Sequence, residues 1–282
     1  MGLKIEVVDR VSTYPGRITL TPVSGGTATT YTMERADSPT VEGTKINKAL
    51  LDQKAYTLTA DVTLYVSTSG NDTTGTGEVG APFKTVQKAI DELPKCLGGY
   101  HAQIDIAAGT YEEAVTIDSF FGGRLTLGVS GRTVVLRGIT VMSSEGVRVN
   151  VAQVKLGTSS PGNLVHADYG SNVSILSDMI IHGESGAVSG LTAARGSVIS
   201  SAATTDIRGC ANTAVYASSG AKIALGSVIG SIPSAGRIFR AEMGGVVSYS
   251  STTLSGGTGS STGSGGRILT SSGTSLANAS VE

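Results

Sequence analysis

From Val141 to the C-terminus, apolar and polar positions recur in phase with a small-x-x-Gly unit. The unit ends at Gly146, Gly170, Gly196, Gly220, Gly244 and Gly273, at intervals of 24, 26, 24, 24 and 29 residues. Five positions before each glycine stand Val141, Val165, Leu191, Val215, Phe239 and Ile268; three positions after it stand Val149, Val173, Ile199, Ile223, Val247 and Leu276. All twelve are apolar, where a chain that is 39% hydrophobic would supply about five. Most are β-branched or Leu, which suits half-buried strands. Further glycines at Gly157, Gly183, Gly209, Gly230 and Gly256 divide most units again, so each repeat is predicted to hold two or three short strands separated by turns.

A period near 24 residues without a helical pattern is met by a coil in which every turn is one rung and inward residues stack into ladders. That is an all-β fold, a parallel β-helix. Leucine-rich repeats share the period range, but they need a Leu-x-x-Leu-x-Leu frame and a helical return that these Ser/Gly-rich segments do not offer. Six repeats at about 4.8 Å each give a rod about 29 Å long. Alternating segments such as "AQIDIAAG" and "GRLTLGV" are expected to add earlier rungs, so the rod is assigned to residues 103–282.

The two ends of such a rod expose strand edges that template aggregation. In "APFKTVQKAIDELP" (residues 81–94), Phe83, Val86, Ala89, Ile90 and Leu93 fall on one helical face, with Thr85 as N-cap and Pro94 as stop. This helix, within a connecting stretch of residues 65–102, is expected to cap the first rung. A charge at Ile90 should expose that end. At the other end, Ser255–Gly266 ("SGGTGSSTGSGG") reads as a flexible insertion and supplies no cap, so copies of the same chain or another chain are expected to cover it. Residues 1–64 differ in kind. They hold strands around the Pro-Gly turn of "RVSTYPGRITLTPVSGG" and a short helix carrying Ile46, Ala49 and Leu50, which reads as a separate module.

A formal net charge of -1 with 15% charged residues provides no basic field for nucleic acid and no polybasic segment for an anionic membrane. No stretch approaches the roughly 18 apolar residues of a membrane span. The opening "MGLKIEVVDR" has neither the basic start nor the apolar core of a secretory signal, so synthesis and residence in the cytoplasm before assembly are expected. The sequons at Asn71, Asn172 and Asn278 would need a secretory route. Cys96 and Cys210 match no metal or redox spacing and are expected to be unpaired structural thiols.

Gly75-Thr-Gly77-Glu-Val-Gly80 matches G-x-G-x-x-G, the fingerprint of dinucleotide-binding folds. With 39 glycines in 282 residues, about 0.7 chance matches are expected. Seven residues also separate Ser67 from Gly75, whereas the fingerprint's first glycine should end the strand directly. The stretch is therefore expected to be a turn-rich connection, with Gly77→Ala nearly silent and no cofactor bound.

Glycoside cleavage usually needs two carboxyl groups about 5 to 9.5 Å apart. Asp168 and Glu242 share a repeat position but lie three rungs apart, about 14 Å. Asp178 and Asp206 lie on neighbouring rungs at slightly different positions, with no further acid to build a calcium cluster. His101, His166 and His182 are the three histidines, and the expectation is surface or turn roles with no metal site. No catalytic residue is assigned. Tyr169, Arg195, Tyr216, Arg237, Arg240 and Tyr249 form the candidate glycan-binding set, since aromatic faces and guanidinium forks suit carbohydrate or carboxylate ligands; Arg208 belongs to the same basic group.

The stretches "YPGRITLTPV", "ERADSP" and "VEGTKINKALLDQ" resemble the amino-terminal attachment segment of tail-fibre and receptor-binding proteins of phages and phage-tail-like particles of Gram-positive bacteria. They depart from the usual pattern at Lys45 and at Lys48-Ala49-Leu50-Leu51. The segment "YVSTSGNDTTGTGEVGAPFKTVQKAIDELP" with "DIAAGTYEEAVTI" is similar to the start of the pectate-lyase-like right-handed parallel β-helix of many such fibres and tailspike depolymerases. The resemblance implies a homotrimeric, non-enzymatic fibre or spike at the tail or baseplate periphery of a virion. Its N-terminal module would dock to a baseplate or tail protein, and its β-helix would recognise host-surface polysaccharide or cell wall. A polysaccharide depolymerase and a purely structural baseplate spacer are the alternatives.

Overall fold

The computed structural model describes residues 18–22, 31–35, 57–156, 163–183 and 189–270. The chain divides into two compact units, Leu3–Ala55 and Tyr56–Glu282. The first holds an antiparallel strand pair, Ile18–Pro22 with Tyr31–Arg35, in which Ile18 faces Arg35 and Pro22 faces Tyr31. The expected helix around Ile46, Ala49 and Leu50 lies outside the described residues, as do Gly157, Gly273 and Leu276.

The second unit is a parallel β-solenoid of about seven turns. Its strands stack in three columns, and the chain visits them in the same order on each turn. Column C includes Met179–Gly183 and Thr205–Arg208; column A includes Asn163–Asp168, Ser189–Ala193, Thr213–Ala217 and Arg237–Glu242; column B includes Asn172–Ile175 and Val198–Ser201. Inward residues stack in register. In column A, Val115, Ile139, Val165, Leu191, Val215 and Phe239 form one ladder. In column B, Val62, Ala102, Leu125, Val147, Val173, Ile199, Ile223, Val247 and Ile268 form another. Column B therefore begins at Val62, within the span that the sequence assigned to the N-terminal module.

The corner between columns A and B explains the repeated glycine. Tyr169-Gly170, Arg195-Gly196, Ser219-Gly220, Met243-Gly244 and Ser264-Gly265 each place two successive residues at positive φ. Such a pair is the signature of a type I′ turn, where glycine takes the second position without steric cost. The corners also bond to one another. The N–H of Gly170 donates to the carbonyl of Arg195 (3.0 Å), Gly196 to Ser219 (3.0 Å), Gly220 to Met243 (3.0 Å) and Gly244 to Ser264 (3.1 Å).

This geometry corrects the phase of the first and last repeats. The corner of the first of these repeats turns at Ser143, three residues before Gly146, so Ile139 and not Val141 faces Val165, and Val147 and not Val149 faces Val173. Val141 faces Ala167 instead, and Val149 faces Ile175; both remain buried. The last described corner is Ser264-Gly265, and Ile268 lies opposite Val247 in column B instead of continuing column A. Within Ser255–Gly266, Ser261–Gly263 is a strand that pairs with Arg237–Glu242 and continues column A.

Helix α1 spans Val86–Glu92. The Thr85 hydroxyl accepts from the Lys88 N–H (3.3 Å). Phe83, Val86, Ala89, Ile90 and Leu93 are all buried and join the core of the solenoid. Glu113 accepts from the N–H groups of Val86 (2.7 Å) and Gln87 (3.0 Å). The Gln87 side chain in turn accepts from the Thr116 N–H (2.7 Å) and donates to its carbonyl (3.1 Å), as a neighbouring strand would. Both cysteines are free thiols; burial pushes the Cys210 thiol up to about 12, too high for a reactive thiolate at neutral pH.

The glycine-rich loop before α1 departs from its expected indifference to substitution. Gly77 has φ of +80°, and a Cβ there would lie 2.5 Å from the Phe83 ring and 2.9 Å from Leu64 Cδ2. A left-handed residue costs about 1–2 kcal/mol and overpacking about 1–3 kcal/mol. Gly77→Ala is therefore expected to lower unfolding free energy by about 2–5 kcal/mol in denaturant titration, whereas Gly80→Ala, with open space at its Cβ, should change it by less than about 0.5 kcal/mol. Equal effects of the two substitutions would contradict this packing.

Candidate functional site

Strand parity decides which side chains column A offers outward. With Val165, Leu191, Val215 and Phe239 turned inward, the residues that follow them, His166, Thr192, Tyr216 and Arg240, form the opposite ladder in direct register; Thr192 is buried, whereas His166, Tyr216 and Arg240 are half-buried. Asp168 and Glu242 continue the outward face at strand ends, and Tyr169 and Arg195 occupy its corners.

Two clusters stand on this face. In the first, Arg195 donates from Nε to Asp168 Oδ1 (2.8 Å) and from Nη2 to Oδ2, and its guanidinium lies 4.0 Å from the centroid of the Tyr169 ring. Asp168 also accepts from the Tyr169 N–H (2.9 Å) and sits 3.4 Å from His166 Nε2. Burial alone would raise the Asp168 pKa, but the donors from Arg195, Tyr169 and His166 outweigh it and hold the carboxyl below its ordinary range. Asn163 lies beside His166 Nδ1 (3.3 Å) and accepts from the Thr192 hydroxyl (3.1 Å).

In the second cluster, Arg240 donates from Nε to Glu242 Oε1 (2.8 Å), with Nη2 at 2.7 Å from the same oxygen. Its guanidinium lies 5.0 Å from the Tyr216 ring centroid, and the Tyr216 hydroxyl donates to Glu242 Oε2 (3.2 Å). Arg237 reaches to the next rung and donates to Ser261 Oγ (2.8 Å), and Ser261 stands opposite Arg240.

Five of the six candidate residues thus share one face or its corners. Tyr249 does not. It is 8% exposed, lies in column B two residues after inward Val247, and stacks on Phe239 inside the core at 4.7 Å and 12°. Burial raises its pKa. Its parity was available in the sequence, because residues two apart on a strand point the same way. The roles of His166, Asn163 and Thr192 were not legible, since Thr192 meets Asn163 across a rung.

Column register keeps Asp168 and Glu242 three rungs apart, about 14 Å, and each is bound by an arginine. Asp206 faces Ile180 and binds Arg208, while Asp178 accepts from the Thr204 N–H (2.8 Å). His101 meets the Thr126 hydroxyl (2.8 Å). Among the described residues no three His, Cys, Asp or Glu side chains are grouped to hold a metal. In the G-x-G-x-x-G loop the N–H of Gly75 donates to the Asn71 carbonyl (2.9 Å) and those of Thr76 (2.9 Å) and Gly77 (3.0 Å) to the Ala81 carbonyl, and at the start of α1 Asp72 accepts from Lys84 and Thr85 and Glu113 from Val86 and Gln87. Comparison of the chain with family models, curated proteins and solved structures finds no match.

Proposed function

We propose that the chain is a non-enzymatic tail-fibre or spike protein of a phage or phage-tail-like particle, and that column A recognises a glycan or cell-wall polymer of the host surface. The observation that carries this reading is the outward stripe of column A, where Tyr169, Arg195, Tyr216 and Arg240 repeat across stacked rungs on a fixed backbone. A regular rung spacing suits a polymer, and side chains held by ion pairs lose little entropy on binding. The acids of the same face are neutralised by arginine and too far apart for glycoside cleavage, which favours binding over depolymerisation.

In the same reading, α1 caps the N-terminal end of the solenoid, with Gln87 standing in for a missing strand at Thr116. The first unit serves as the attachment module, and three copies assemble with the right-handed coils side by side. Incubation of the full chain with purified host cell walls, followed by reducing-end assay and by electron microscopy of tails carrying labelled chain, tests the proposal. Retention on the walls, no release of reducing or unsaturated ends and label at the tail tip are expected. Reducing ends would transfer the chain to the depolymerases, and tail labelling without wall binding would leave a structural spacer.

A further inference from the structure

We infer that the ligand of column A is a polyanionic glycan, gripped by the free edges of Arg195 and Arg240 through its phosphate or carboxylate groups. The inference rests on the host-surface reading and gives it a ligand class.

A guanidinium carries five N–H donors in a planar fork. Arg195 uses its Nε/Nη2 edge on Asp168, and Arg240 uses the same edge on Glu242. What remains in each case is the Nη1/Nη2 edge, a two-donor fork with no protein partner among the described residues. The layering favours outward presentation: the Asp168 side chain is 5% exposed and that of Arg195 is 53% exposed. Glu242 lies beside Arg240 at similar exposure, 26% against 32%; in both pairs the carboxylate fixes the guanidinium orientation, so the free edge is set before any ligand arrives.

The tyrosines argue the same way. Neutral sugars bind by stacking on an open aromatic face. Arg195 covers one face of Tyr169 and Arg240 covers one face of Tyr216, while the Tyr216 hydroxyl is committed to Glu242. The rings steady the guanidinium groups, whose free cationic donors pair bidentately with phosphate and carboxylate; Tyr169, 56% exposed, can add a ring contact with the sugar that carries them.

Arg237 adds a positive charge whose hydrogen-bond partner is a neutral hydroxyl. Arg195 sits on Asp168 and Arg240 on Glu242, three rungs apart, about 14 Å, and three residues of strand separate Arg237 from Arg240, about 10 Å. An anionic polymer can engage several such forks at once. Arg208 is held by Asp206 with the same edge but lies in column C, off this face, and takes no part in the grip.

The test measures binding of the full chain to poly(glycerol phosphate), polygalacturonate and uncharged dextran at low and high salt. Binding to at least one polyanion, weakened by salt, with no binding to dextran, is expected; the polyanion preferred identifies phosphate or carboxylate as the recognised group. The double variant Arg195→Lys/Arg240→Lys keeps the charge but loses the forks and should bind about tenfold more weakly or worse. Arg208→Lys should bind like the parent. Should the double variant misfold, competition of the parent's binding by inorganic phosphate or citrate decides in its place. Dextran binding equal to polyanion binding, salt-insensitive binding or an unaffected double variant would overturn the inference. Binding to host walls without binding to either polyanion overturns the inference alone, whereas failure on walls removes the host-surface reading itself.

Discussion

Ile90→Glu is expected to cost about 4 kcal/mol or more and to convert soluble protein into aggregate, because it buries an ionised carboxylate without a partner. Ile90 is fully buried among Val86, Ala89 and the first strands of the solenoid. The damage should be local before it is global. In a stacked repeat each rung contacts its neighbours, so loss of α1 removes the Gln87 contacts from Thr116 and frays the N-terminal rungs first. Hydrogen exchange read by mass spectrometry should show protection lost over 102–127 while 213–249 retains it. Lys84→Ala, at an exposed side chain just before α1, is the control and should stay soluble. Normal solubility and full protection in Ile90→Glu would mean that α1 does not guard this end.

The periodic part of the fold was legible because a stacked coil repeats its constraints. Each rung needs an inward β-branched or Leu residue at the same place and a residue free to adopt positive φ at the same corner, so Val173, Ile199, Ile223 and Val247 recur with Gly170, Gly196, Gly220 and Gly244. Where the corner changed its chemistry the phase was lost. Ser143-Ser144 turns the chain without the usual glycine pair, and the buried Ser144 hydroxyl accepts from the Phe120 N–H (3.1 Å), so Gly146 marked the wrong place by spacing alone. The contacts of α1 were hidden for a different reason. Glu113 and Gln87 lie 26 residues apart and look like ordinary surface residues until the coil brings them together.

The candidate site shows the same division. Alternation along Thr213–Ala217 and Arg237–Glu242 suffices to place Tyr216 and Arg240 outward, and the i, i+2 spacing of Arg240 and Glu242 already puts them on one face. By contrast, Arg195 and Asp168 meet only because a corner projects one residue back over the previous rung, 27 positions away. The residue types suggested aromatic faces and forks for carbohydrate or carboxylate ligands. The geometry lays arginine over one face of Tyr169 and one of Tyr216, which favours the carboxylate or phosphate side of that choice.

Phe239→Ala should lower stability by about 3–5 kcal/mol, the usual cost of emptying an aromatic site in a core. Phe239 ends the described inward ladder of column A with the largest side chain in it, and its ring stacks on Tyr249. The truncation leaves a cavity and strips Tyr249 of its partner at once, so two columns lose packing on the same rung. Phe239→Leu keeps most of the volume and should cost about 1 kcal/mol. Exchange should quicken over 237–270 and leave 102–142 unchanged, the mirror image of the Ile90→Glu pattern. Tyr249→Phe keeps the stack and should preserve both stability and polyanion binding, since this ring lies inside the core and away from Arg195 and Arg240. If Tyr249→Phe instead abolished binding while the fold held, Tyr249 would have to turn outward, and the packing of the last rungs described above would be wrong.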